Sequence, residues 1–131
     1  MLRDAPAMAI LPASDCEQAR EFYLETLDLP EVDIPAPGND FMVECGGGTQ
    51  IYVYEREAGT KADHTVAGWV VDDIEEVVKE LTERGVVFAR YDTPELKTDE
   101  RGIAELEGTK VAWFQDPEGN ILSVTEPPID M

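Results

Sequence analysis

The chain has 131 residues, 43% of them hydrophobic, which suits one domain with a real core and excludes a disordered polymer. Ten Lys and Arg stand against 29 Asp and Glu, a formal net charge of −19, so there is no basic footprint for nucleic acid. No apolar run reaches membrane-span length, the first residues lack a signal peptide's apolar core, and Cys16 and Cys45 show neither metal spacing nor a disulfide framework; a cytoplasmic, reduced protein is expected.

The acids are spread along the whole chain. They read as a solubilising surface or an adaptation to high salt, with attraction of a cationic ligand as a third reading.

Residues 7–12 are apolar and read as a largely buried strand. Asp15 follows as a helix N-cap, with Gln18 at the capping-box position. From Cys16 to Leu27, Ala19, Phe22, Tyr23 and Leu27 fall on one helical face. Pro30, Pro35, Pro37 and Gly38 then allow at most a short edge strand around Val32 to Ile34. Phe41 to Cys45 and Gln50 to Glu55 read as two strands joined through Gly46, Gly47 and Gly48. Residues 57–63 are polar and read as a linker.

The order then starts again. Thr65 to Val71 reads as a strand. Asp73 caps a helix, with Glu76 at the capping-box position and Ile74, Val77, Val78 and Leu81 at helical spacing. Gly85 sits where a left-handed residue ends a helix. Val86 to Tyr91 reads as a strand, and residues 92–109 as a long charged loop. The chain closes on a hairpin. In it Trp113 to Gln115 leads into Asp116, Pro117, Glu118, Gly119 and Asn120, and Ile121 to Glu126 returns. Pro117 suits a turn position with φ near −65°, Gly119 one with φ > 0, and Asp116 can bond back onto the turn.

Strand, capped helix, strand, loop and hairpin thus occur twice. The pattern predicts an α+β fold of two βαβββ modules, residues 7–56 and 64–127, joined by the linker 57–63. Eight strands would curl into a partly open, barrel-like sheet with a central cleft.

The chain resembles the vicinal oxygen chelate superfamily, which includes glyoxalase I, extradiol dioxygenases and bleomycin-resistance proteins. The resemblance is carried by Phe22 and Tyr23 after Asp15, by Val71, Asp72, Asp73 and Ile74, and by Asp116 to Asn120 followed by Leu122 and Glu126. Metal-dependent members place one ligand in the first and one in the last strand of each module. Carried over, those positions fall on Met8, Tyr52, Val66 and Ser123. None is a His or a carboxylate, and none supplies the nitrogen and oxygen donors that a divalent metal takes at such a site.

Strand alternation names the expected cleft wall: Met8, Ile10, Met42, Glu44, Tyr52, Tyr54, Val66, Trp113, Gln115 and Ser123. This is an apolar, aromatic wall with a few polar groups, as small-molecule sites have. Trp113, Tyr52 and Tyr54 suit a flat or cationic ligand, and the same residues also suit plain core or dimer packing. Val66 inward would bring His64 and Gly68 with it. His64, the only His, is the weak candidate for a general base, against a solvated surface residue. Cys16 reads as a packed thiol, and Asp116 and Glu118 as turn chemistry.

Three functions compete. The first is a metal-free protein that binds a small organic ligand, with no cofactor and, as the resemblance implies, a homodimer. The second is a glyoxalase- or dioxygenase-like enzyme with a divalent metal in a shifted site built from His64, Glu44 and Glu55. The third is an accessory module without catalysis.

Overall fold

A computed structural model describes residues 2–128 of the chain. The first module forms β1 (Ala9–Ala13), α1 (Cys16–Arg20), β2 (Glu31–Val32), β3 (Phe41–Glu44) and β4 (Gln50–Glu55). The second forms β5 (Thr65–Val70), α2 (Ile74–Glu83), β6 (Ile103–Leu106), β7 (Thr109–Gln115) and β8 (Ile121–Glu126). The strands hydrogen-bond as two four-stranded sheets, ordered β1-β4-β3-β2 and β5-β8-β7-β6. In each, the first strand pairs parallel with the last, and the remaining pairs are antiparallel. The repeat of sequence pattern is therefore a repeat of topology. The contacts group into two units, residues up to Ala62 with Asp116–Asn120, and Asp63–Gln115 with Ile121 onward.

Both helices start where the capping residues predict. Asp15 accepts a bond from the Gln18 N–H and Asp73 one from the Glu76 N–H, both at 3.2 Å. Further donors at these helix starts are satisfied from a distance. Glu118 accepts from the Ser14 and Asp15 N–H groups, and Glu126 from the Ile74 N–H. The first helix does not stay α: beyond Arg20 it widens into a π-helix over Glu21–Thr26, with the Leu27 N–H bonded to the Phe22 carbonyl. Helical periodicity does not distinguish the two windings over so short a run.

One face of each sheet is buried under its helix. In the first unit Leu11, Ala13, Phe41, Val43, Ile51 and Val53 are buried with Cys16, Ala19 and Tyr23 of the helix. In the second, Ala112, Phe114, Leu122 and Val124 are buried with Ile74 and Val78. Trp69 stacks on Phe114, and Phe88 meets the same ring edge-on.

The edge of the second sheet differs from expectation. Val86 to Tyr91 does not form a strand. It is tied to the sheet by a bond from the Ala89 N–H to the Trp113 carbonyl. Part of the expected loop 92–109 is instead β6, joined to β7 by the two residues Glu107 and Gly108. Closing a two-residue turn costs far less chain entropy than closing one of some twenty residues, so the local strand takes the edge. Val86 and Phe88 are nevertheless buried and Val87 exposed, so the alternation was real and only the pairing was misread.

Candidate functional site

By strand parity, the face of each sheet turned away from its helix carries Ile10, Met42, Glu44, Tyr52 and Tyr54 in the first unit and Trp113, Gln115 and Ser123 in the second. In the first sheet Ile10, Tyr52 and Met42 lie side by side across β1, β4 and β3. Pro12 pairs with Tyr54, and Glu44 with Gln50. Met8 lies just before β1, 45% exposed, and Ile10 is 57% exposed. Apolar residues this open on a strand whose alternate positions are buried make an unfilled wall rather than a core.

Tyr52 is held in place on this wall. Its hydroxyl donates to Asp40 Oδ2 at 2.7 Å, and Asp40 Oδ1 accepts the Glu55 N–H at 2.7 Å. The bond to Asp40 pushes the Tyr52 pKa up, with partial burial and the Asp40 charge adding to it. Asp40 went unnoticed in the sequence because it precedes β3 and carries no motif. Its signal is position: Asp40, Met42 and Glu44 alternate onto one side.

In the second sheet Gly68, Ser123 and Trp113 lie side by side across β5, β8 and β7, and Thr65, Ile121 and Gln115 form the adjacent row. Tyr91 meets the Trp113 ring edge-on with centroids 5.5 Å apart. Sequence reading missed this partner because it lies in a segment expected to pair as a strand. The expected alternation from Val66 to His64 breaks down. A register shift between Thr65 and Ala67 makes Val66 a bulged residue, and His64 lies before Thr65, the first residue of the strand. His64 is exposed, with Nδ1 3.2 Å from the Thr65 carbonyl oxygen.

Metal-ligand chemistry does not fit these positions. Met8, Tyr52, Val66 and Ser123 offer no imidazole or carboxylate. Among the described residues no three His, Cys, Asp or Glu side chains gather as ligands. Glu44 and Glu55 stand on opposite faces of the first sheet by strand parity. A separate open groove of about 1000 Å³ runs along α2 in the second unit, floored by Val78, Val86 and Phe88. Its rim mixes charges of both signs, and none of the expected wall residues lines it.

The turn after β7 is a buried polar knot. Asp116 Oδ1 accepts the Glu118 and Asn120 N–H groups, both at 2.9 Å. Its Oδ2 accepts the Tyr23 hydroxyl at 2.7 Å and Asn120 Nδ2 at 2.8 Å. Asn120 Nδ2 also donates to the Pro12 carbonyl. Gly119 has φ 92°, the left-handed conformation its turn position requires. Burial, and then the adjacent Asp116 carboxylate, push the Tyr23 pKa up and keep its hydroxyl a donor. Asp116 and Glu118 are therefore more than turn residues: they tie the hairpin tip to β1 and α1. Cys16, the first residue of α1, is buried, and its thiol is pushed up to about 11 by burial and by Glu55, Asp40 and Glu118.

The profile of the Glyoxalase/Bleomycin resistance protein/Dioxygenase superfamily matches residues 6–124. No curated protein sequence matches the chain. A superfamily member from Sphaerobacter thermophilus DSM 20745 is 28% identical, with a TM-score of 0.67 and 96% of this chain and 99% of that one covered. TnmS3, an antibiotic binding protein from Streptomyces sp. CB03234, is 24% identical, with a TM-score of 0.69 and coverage of 97% and 98%. A glyoxalase / bleomycin resistance protein from Catenulispora acidiphila DSM 44928 is 21% identical, with a TM-score of 0.69 and coverage of 95% and 100%. Two modules of one topology, each with an Asp-capped helix after its first strand, and a family match over most of the chain lead to one conclusion: the protein belongs to the Glyoxalase/Bleomycin resistance protein/Dioxygenase superfamily.

Proposed function

We propose that this protein binds a small organic molecule on the open faces of its sheets, without using a metal ion. The observation that carries the reading is the wall of Ile10, Met42, Tyr52 and Tyr54. Ile10 stands open to solvent there and Met42, Tyr52 and Tyr54 are half-buried beside it, at and around positions where a metal-dependent relative needs ligands. Trp113 and Ser123 give the second sheet a comparable face. That TnmS3 is an antibiotic binding protein supports the same use of the scaffold. The reading includes a homodimer, as the resemblance implies; a light-scattering mass of one chain would remove that part.

The test has two arms. Purified protein is titrated with a panel of aromatic antibiotics while tryptophan fluorescence is followed, and its metal content is measured. Saturable binding that survives EDTA is expected. Stoichiometric Zn, Ni, Mn or Fe whose removal abolishes binding would overturn the proposal.

A further inference from the structure

We infer that the open face of the first sheet takes an organic cation, seated over the ring of Tyr52, with Asp40 as the residue that positions and polarises that ring. This rests on the open-face reading above and names the ligand class for one of those faces.

The argument starts from the hydroxyl of Tyr52. It donates to a carboxylate oxygen of Asp40 at 2.7 Å. A phenol donating to an anion gains electron density in its ring, and the negative ring face that attracts cations is strengthened. Asp40 is itself fixed, because its second oxygen accepts the Glu55 N–H at 2.7 Å. The ring is therefore set in a defined pose instead of swinging on the sheet. Its neighbours in register, Ile10 and Met42, are apolar and give a flat molecule a surface to lie on. Glu44 shares the face by strand parity, and its carboxylate is exposed.

The charge pattern points the same way. On the open face the one charged strand residue is Glu44, with no Lys or Arg; Glu31, paired with Arg20, and Glu55 share the helix-covered face by strand parity. An anionic ligand would meet Asp40 and Glu44 with no cation on the sheet to offset them. A neutral ligand would leave the exposed Glu44 carboxylate unused. A planar cation satisfies the apolar floor, the ring face and the carboxylates together.

The experiment compares three probes of one shape: N-methylquinolinium, neutral quinoline and the naphthoate anion. Binding is measured by isothermal calorimetry at about 0.15 M salt, where the Debye length is about 8 Å and the general attraction of the acidic surface is damped. The expected result is a single site that prefers N-methylquinolinium to quinoline by about fivefold or more, with naphthoate weakest. Tyr52→Phe keeps the ring and removes its bond to Asp40. It should retain quinoline binding and lower the cation-to-neutral ratio. Asp40→Asn should do the same, and a merely structural role for Asp40 would weaken all probes alike. Equal binding of the three probes, or an unchanged ratio in both variants, overturns the cation inference and leaves the open-face reading standing. Binding by none of them overturns both.

Discussion

Replacing Tyr23 by Phe removes one oxygen atom from the interior and leaves the ring in place. Tyr23 is 0% exposed, and Phe22 and Phe41 pack on its ring. The lost oxygen is the donor to Asp116 Oδ2 at 2.7 Å, and Asp116 is itself only 6% exposed. The carboxylate would keep three of its four donors: the N–H groups of Glu118 and Asn120, and Asn120 Nδ2. A hydrogen bond to a charged group contributes about 2 kcal/mol, and burial leaves water little room to replace it. At this chain length such a loss lowers Tm by about 8 °C. Urea and thermal unfolding followed by circular dichroism measure both quantities.

The same variant has a signature in alkali. Burial and Asp116 raise the Tyr23 pKa above its ordinary value of 10.0. Above that pH the unfolded chain releases the proton while the folded chain keeps it, so stability falls as pH rises. The slope from this one group approaches about 1.4 kcal/mol per pH unit. Tyr23→Phe should lack that part of the slope. A stability loss below about 0.5 kcal/mol, or an alkaline slope equal to wild type, would refute the account of the knot.

Four further outcomes are expected. Asp116→Ala strips acceptors from four buried or half-buried donors and should cost about 3–5 kcal/mol, more than Tyr23→Phe, by urea unfolding. Glu107 sits at φ 52° in the two-residue turn before β7, a conformation that Asn tolerates better. Glu107→Asn should therefore raise stability by about 0.5 kcal/mol, and a fall in Tm would contradict this. With a formal charge of −19, Tm should rise as salt is increased from about 0.05 to about 1 M, because screening removes self-repulsion. A flat profile would mean that the acids are spaced widely enough not to interact. Finally, Cys16 is buried with its thiol pushed up to about 11, whereas Cys45 is half-buried, so a thiol reagent at neutral pH should label Cys45 first. Equal labelling rates would contradict the packing of Cys16.

Much of the fold follows from local rules that a sequence states outright. Asp15 and Asp73 fix helix starts because a side-chain acceptor must meet free N–H donors within a few residues. Alternation in β4, β7 and β8 fixes which side chains share a face, and hairpin spacing fixes the partners of Tyr52 and Trp113. The chemistry at Met8, Tyr52, Val66 and Ser123 was equally plain, since residue type alone decides which atoms a metal is offered.

Other features depended on distance in the chain and were settled only by the tertiary structure. The edge of the second sheet went to β6 because pairing is a competition between segments, which neither segment's pattern reveals. The bulge at Val66 broke the expected alternation between Val66 and His64, because one unpaired residue resets the parity of everything before it. Tyr23 and Asp116 are 93 residues apart, so their hydrogen bond exists only once the chain has folded back on itself. The tie between Tyr52 and Asp40 is short in sequence yet was equally invisible: it needs the register of β3 on β4, which brings a residue before one strand to the hydroxyl on the other.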